Sequence, residues 1–255
     1  MVLAGKQWGK DKLSPDELMD GLEEIRADLT GGDPTGSRRK RPRTKEEIVQ
    51  NKRRIHTGGD GNHRFEGERY IAITDKDVRR FQLRKLVDEG GQDAVGGPVP
   101  SHPTLQRWHS EEFGLTKNEV DRLEKEDMTA ERLVREGWYY WMHRSEEWPV
   151  LLGGALVGEG AKRLPNVREE MVLDLEETRA LYRELGIKDV ERAMMNQLEH
   201  SPIGADADHV VFGEDVTRAH VNTPELQEAL RKVFILRLQQ GIDSGRFGSG
   251  KPASS

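Results

Sequence analysis

Leu198–Val221 reads LEHSPIGADADHVVFGEDVTRAHV, and the reading of the whole chain turns on it. Asp206 and His209 stand three apart, so on a helix they project from one face. His200 lies just upstream, across the helix-breaking Ser201-Pro202-Ile203-Gly204. One carboxylate and two imidazoles converging there have the composition of a transition-metal site. The plainer reading is an acidic helix start, with Asp206 and Asp208 favoured by the helix dipole. The rest of the chain has to choose between the two.

Working outward, the 255 residues suffice for one sizeable domain with its own core. Hydrophobic residues make up 34%, and the mean hydropathy of -0.79 is low for a fully folded chain. The shortfall is assigned to disordered ends rather than to a thin core. Zero cysteines exclude disulfides, thiolate metal sites, iron–sulfur clusters and cysteine nucleophiles. No apolar run approaches the length of a membrane span and no leader pattern opens the chain, so a soluble, cytoplasmic protein is expected. A net charge of -6 speaks against general nucleic-acid affinity.

Pro15–Leu29 has Leu18, Leu22, Ile25 and Leu29 at helical spacing behind a Ser14 cap. Thr30–Lys45 is rich in Gly and Pro and carries six basic residues within Arg38–Lys45, which reads as a flexible arm, either a solvated linker or an anion contact. Glu46–Ile55 reads as helix and Thr57–Asn62 as a turn. Arg69–Thr74 is the one stretch with any strand character. Asp75–Glu89 is expected as a helix burying Val78, Phe81, Leu83, Leu86 and Val87, ended by Gly90-Gly91. A Gly/Pro loop follows. Helices are then expected over His102–Phe113 with a Ser101 cap, and over Gly114–Glu126 with Thr116 and Glu119 as a capping box. Thr129–Ser145 carries the aromatic block Trp138, Tyr139, Tyr140, Trp141 and Met142, read as core or as the wall of an apolar substrate cavity. Glu147–Leu164 reads as the most apolar helix, with Glu159 in its second half. Glu169–Glu184, Lys188–Glu199 and Pro224–Gly241 complete the set. The expected organisation is residues 1–60 as an N-terminal helix and basic arm, 61–243 as an all-α helical bundle, and 244–255 as a disordered tail.

Glu159 follows the apolar Val150–Val157. A buried carboxylate needs a cation, a proton or a metal; Lys162 and Arg163 are the ordinary partners on offer. Glu89 and His102 flank the Gly-rich loop, at a helix end and a helix start. Carboxylates and imidazoles gathered from several helices of a bundle build carboxylate-bridged di-iron centres. Glu89, His102, Glu159, His200, Asp206 and His209 supply three of each, a set suited to ferrous ions with open positions.

The order VDE … HPTLQRW … FGLTKNEV … WPVLLGGALVGEGAKRLP … RELGI … LEH … DADH resembles the heme-oxygenase-like di-iron oxidases and oxygenases. It is similar to the branch containing the chlamydial protein associating with death domains and pyrroloquinoline-quinone synthase. The resemblance covers about Phe65–Gly241 and implies a bundle of about seven to nine helices. It also implies two Fe(II) held by Glu89, His102, Glu159, His200, Asp206 and His209, with Trp138, Tyr139, Trp141 and Met142 against the substrate. The implied activity is O2-dependent oxidation of a small amine, amino acid or fatty-acid-like molecule, with electrons from the substrate or an external reductant. Neither membrane nor nucleic acid is implied as a partner, and a homodimer stays open beside a monomer.

This chain departs from the family pattern in two ways. The Glu89–His102 loop is longer and richer in glycine. Two extra residues separate His200 from Asp206, and a six-residue offset on a regular helix turns about 240°, off the shared face. Only a bulge or a non-helical Ser201–Gly204 segment restores convergence. Thiaminase-type relatives need a cysteine nucleophile, which is absent. A cofactor-free oxidase of the quinone-synthase kind, and a non-enzymatic helical binding module with a decayed site, are the competing readings. His109 is a candidate supporting residue, Glu136 and His143 a weaker ligand pair, and His220 reads as exposed.

Overall fold

The computed structural model describes residues 2–3, 5–32, 44–56, 61–92, 96–126, 130, 134, 137, 146–157, 159–201, 203–204, 206–243 and 247–248. It is all-α. In chain order the helices are α1 (Pro15–Thr30), α2 (Lys45–His56), α3 (Gly61–Ala72), α4 (Lys76–Gly90), α5 (His102–Glu112), α6 (Lys117–Lys125), α7 (Trp148–Gly153), α8 (Pro165–Glu184), α9 (Val190–Glu199), α10 (Asp206–His220) and α11 (Pro224–Asp243). Among the described residues, Val2–Leu3 pairing antiparallel with Lys6–Gln7 is the whole of the β-structure. Arg69–Ala72 therefore belongs to the end of α3, not to a strand. None of the described helices is long and apolar enough to cross a membrane.

The chain divides into two compact units: Met1–Arg41 with Ser145–Glu170 and Asp206–Ser255, and Pro42–Arg144 with Met171–Ala205. In the first, α1 starts in a capping box: Ser14 Oγ accepts from the Glu17 amide, and Glu17 accepts from the Ser14 amide. Its predicted stripe of Leu18, Leu22 and Ile25 is buried, and α1 packs on α10 and α11. Gln227 on α11 ties down the chain before α1, its amide donating to Leu13 O and accepting from Leu13 N, each at 2.9 Å.

The expected single helix over Glu147–Leu164 is instead broken. α7 ends at Gly153, a 3-10 turn covers Gly154–Val157, and a second covers Gly160–Arg163. Two causes act together. Glycines at 153, 154, 158 and 160 each cost a helix about 1 kcal/mol. Arg26, 2% exposed, takes the Leu156 and Val157 carbonyls at 2.6 and 2.7 Å. Those are the acceptors that a continuous α-helix would give to Gly160 and Ala161. Gly153 is needed where it is, since a Cβ there would stand 2.7 Å from Leu230 Cδ1 and 3.0 Å from Thr217 Oγ1.

In the second unit α3 and α4 pack as a helical hairpin, α5 packs most extensively on α9, and α2 on α6. Ile48, Phe113, Leu175, Tyr182, Ile187, Ala193 and Met194 form one core cluster. Leu115, Val120 and Leu123 form another. Phe113 stacks on His109 and meets Tyr182 edge-on. The caps at Ser101 and Thr116 are made as the sequence predicts, and Asp75, expected as the first helical residue, caps α4 instead. Glu119 does not close a reciprocal box, because its carboxylate accepts from Arg53 at 2.9 Å.

Candidate metal centre

The first surprise is the face that α4 turns inward. Helical spacing of its apolar residues predicts Phe81, Leu83, Leu86 and Val87 inside with Val78. Only Val78 among them is buried; Leu83 and Val87 are 44% and 45% exposed. The buried positions are Val78, Gln82 and Lys85, and Glu89 continues the same row at i+4. The helix is thus rotated to bury polar groups, which requires partners for each of them. Glu66, on the facing α3, supplies several. Its Oε2 accepts from Gln82 Nε2 at 2.6 Å, and its Oε1 lies 2.6 Å from Arg69 Nη1 and 3.8 Å from Lys85 Nζ. Glu66, Gln82 and Lys85 were not singled out in the sequence. On a helical wheel they look like a solvated face, and only the buried neighbour reveals otherwise.

Glu89 and His102 are brought together. Glu89 sits in the last turn of α4, and Ser101 caps α5 so that His102 becomes its first residue. Each charge is misplaced for its own helix dipole, a carboxylate at a C-terminus and an imidazole at an N-terminus. Their mutual contact, Glu89 Oε2 to His102 Nδ1 at 2.6 Å, offsets this. Burial pushes the Glu89 carboxyl up, but the hydrogen bond from His102 and the charges of His102 and Lys85 outweigh burial and the repulsion of Glu66, so the net shift is downward. His200 joins from the end of α9: its ring lies 4.4 Å from that of His102, edge to face. Non-helical backbone after Glu199 places it there. Ser201 Oγ donates to Leu198 O, and Gly204 folds back so tightly that a Cβ would lie 2.3 Å from that same carbonyl. One turn before His200, the buried Asn196 has an Oδ1 with no hydrogen-bond partner, which costs about 1–3 kcal/mol unless something binds there.

The other three candidates lie in the first unit. Glu159 is the residue before the second 3-10 turn, half-buried and without a capping bond from its side chain. Asp206 is the first residue of α10, and His209, 4% exposed, stands in its first turn. α10 packs against both 3-10 turns. Among the described residues, no three or more His, Asp or Glu side chains already stand in an arrangement that could hold a metal. Donor type nevertheless fits ferrous iron: one carboxylate and two imidazoles at Glu89, His102 and His200, two carboxylates and one imidazole at Glu159, Asp206 and His209.

Trp138, Tyr139, Trp141 and Met142 lie outside the described residues, as do Glu136, His143 and Arg38–Arg43. His109 contacts Tyr182 Oη at 2.7 Å within the core. His220, expected to be exposed, is half-buried with its ring 4.9 Å from Trp148. His56, another buried imidazole, contacts Ser110 Oγ at 2.6 Å; that hydroxyl donates to Gln106 O and is wholly buried, so it is not an activated nucleophile.

No protein-family model matches the chain, and no curated protein matches it.

Proposed function

We propose that the chain is a non-heme iron, O2-dependent oxidase or oxygenase with a heme-oxygenase-like bundle, acting on a small amine, amino acid or fatty-acid-like substrate. The ligands in this reading are Glu89, His102 and His200 in one unit and Glu159, Asp206 and His209 in the other, with one Fe(II) for each set. The observation that supports it is the contact of Glu89, in the last turn of α4, with the buried His102 at the start of α5, and the ring of His200, just after α9, beside His102.

Bound iron would supply the binding and reduction of dioxygen, which no side chain of the chain can do unaided. The residues do the rest. Glu89 and His102 orient one another, and the hydrogen bond and charge of His102, with the Lys85 charge after them, outweigh burial and lower the Glu89 carboxyl. The open Oδ1 of Asn196 offers an acceptor for an N–H or O–H of the substrate. Substrate or an external donor provides the electrons.

Lys85 and Arg69 in the same buried cluster favour a second reading, a cofactor-free oxidase holding an anionic substrate on basic side chains. Anaerobic Fe(II) reconstitution separates the two. The iron reading expects about two irons per chain, His102→Ala and His209→Ala each losing one, and O2 consumption abolished by chelator. Iron well below one per chain, unchanged by either substitution, would sink it, and turnover indifferent to chelator would establish the second.

A further inference from the structure

Two titratable side chains in the core of the second unit stand outside the proposed ligand set. His109, in the last turn of α5, is 1% exposed, and Tyr182, in the last turn of α8, is 4% exposed. Imidazole Nε2 and phenol Oη lie 2.7 Å apart, within hydrogen-bond distance. Phe113 stacks on the imidazole, with centroids 4.7 Å apart and planes 12° from parallel, and meets the phenol ring edge-on at 5.0 Å. Tyr182 and Phe113 share their core cluster with Ile48, Leu175, Ile187, Ala193 and Met194. Apolar side chains could fill this space without bringing polar atoms into it.

We propose that Tyr182 and His109 form a buried redox pair, in which the phenol gives up one electron while its proton passes to His109 Nε2. A phenol is protonated at neutral pH, its ordinary value being about 10, so the O–H donates to an unprotonated Nε2. The electron goes to an outer-sphere one-electron oxidant, an oxidised metal ion or an organic radical, which is reduced by one. The O–H bond breaks, an N–H bond forms, and the products are a neutral phenoxyl radical and an imidazolium. Losing the electron alone would leave a cationic phenol in an apolar core, where an unpaired charge is very costly. Passing the proton on moves that charge to the imidazole, which lies over the electron-rich face of Phe113. Burial keeps the proton from water, so return of the electron restores the starting pair. The pair thus holds one oxidising equivalent inside the protein. It does not depend on the iron reading, because any oxidant of the stated class serves.

The test is photochemical oxidation of the full chain by a ruthenium tris-bipyridyl sensitiser with persulfate, freeze-trapped and read by electron paramagnetic resonance. The expected signal is a neutral tyrosyl radical that is lost in Tyr182→Phe and kept in Tyr70→Phe. His109→Gln retains a hydrogen-bond acceptor but no base, and should form the radical about a hundredfold more slowly while melting close to wild type. Should that variant fail to fold, wild-type protein carrying isotope-labelled histidine gives the answer, as a magnetic coupling between the radical and an imidazole nitrogen. The proposal is overturned if wild type yields no tyrosyl radical, or if the signal survives Tyr182→Phe. It is equally overturned if the radical forms at the wild-type rate in His109→Gln, or shows no coupling to histidine nitrogen.

Discussion

Each unit buries a cation, and the two treat it differently. Arg26 in the first unit donates to two backbone carbonyls, reaches Glu23 at 3.2 Å and lies over the Phe234 ring. Its fork is fitted to acceptors that cannot move without unfolding the turn. Lys85 in the second unit has the Glu66 side-chain carboxylate 3.8 Å away. Backbone acceptors make a clamp; paired side chains make a balance of charge.

Breaking the clamp should have the largest effect. Arg26→Ala strands two buried carbonyls and loses packing on Phe234, and should destabilise the protein by about 3–5 kcal/mol in urea denaturation. Arg26→Lys should recover only part, since an ammonium cannot serve both carbonyls with the same geometry. An Arg26→Ala variant of wild-type stability would show that the 3-10 turns stand without it. Gly153→Ala comes next, at about 1–3 kcal/mol, because its new methyl meets Leu230 and Thr217 inside the permitted distance.

The balance should respond to pH where the clamp does not. A double-mutant cycle of Glu89→Gln with His102→Ala should give a coupling of about 1–2 kcal/mol near neutral pH in metal-free protein. The folded Glu89 carboxyl titrates below its ordinary value of 4.5, so its contribution is present above that value and fades as the pH falls through the lower one. A coupling that stays constant from pH 6 down to about pH 3 would contradict the pairing. The smallest effect belongs to Glu17 at the α1 cap. Lys6, the Ser14 amide and the Ser14 hydroxyl lower its carboxyl to about 2. Its capping contribution should therefore persist at pH 4 and disappear only near pH 2, seen as a stability difference between wild type and Glu17→Gln that closes over that interval.

Much of the helical framework was legible because its signals are local. Ser14, Asp75, Ser101 and Thr116 mark helix starts through side-chain bonds spanning two or three residues. Gly91 closes α4 at the place its own backbone freedom suggests. The sequence places Glu89 at a helix end and His102 at a helix start, but that the two touch is decided by the packing of α4 and α5. The face of α4 was not legible either, because apolar Leu83 and Val87 compete for the interior with Gln82, Lys85 and Glu89, and the winner depends on Glu66 across the hairpin. The break at Glu159 was missed for a similar reason: glycines weaken a helix, but Arg26, distant in sequence, takes the carbonyls.

By itself, then, the sequence determined that this protein is helical, where most helices begin, and which carboxylates and imidazoles are available for chemistry. Tertiary structure decided which side of α4 is inside, where the apolar segment before Glu159 stops being a helix, and that His200 lies against His102. Caps and periodicity act over one turn of chain, whereas burial and charge compensation are settled between segments that only folding brings together.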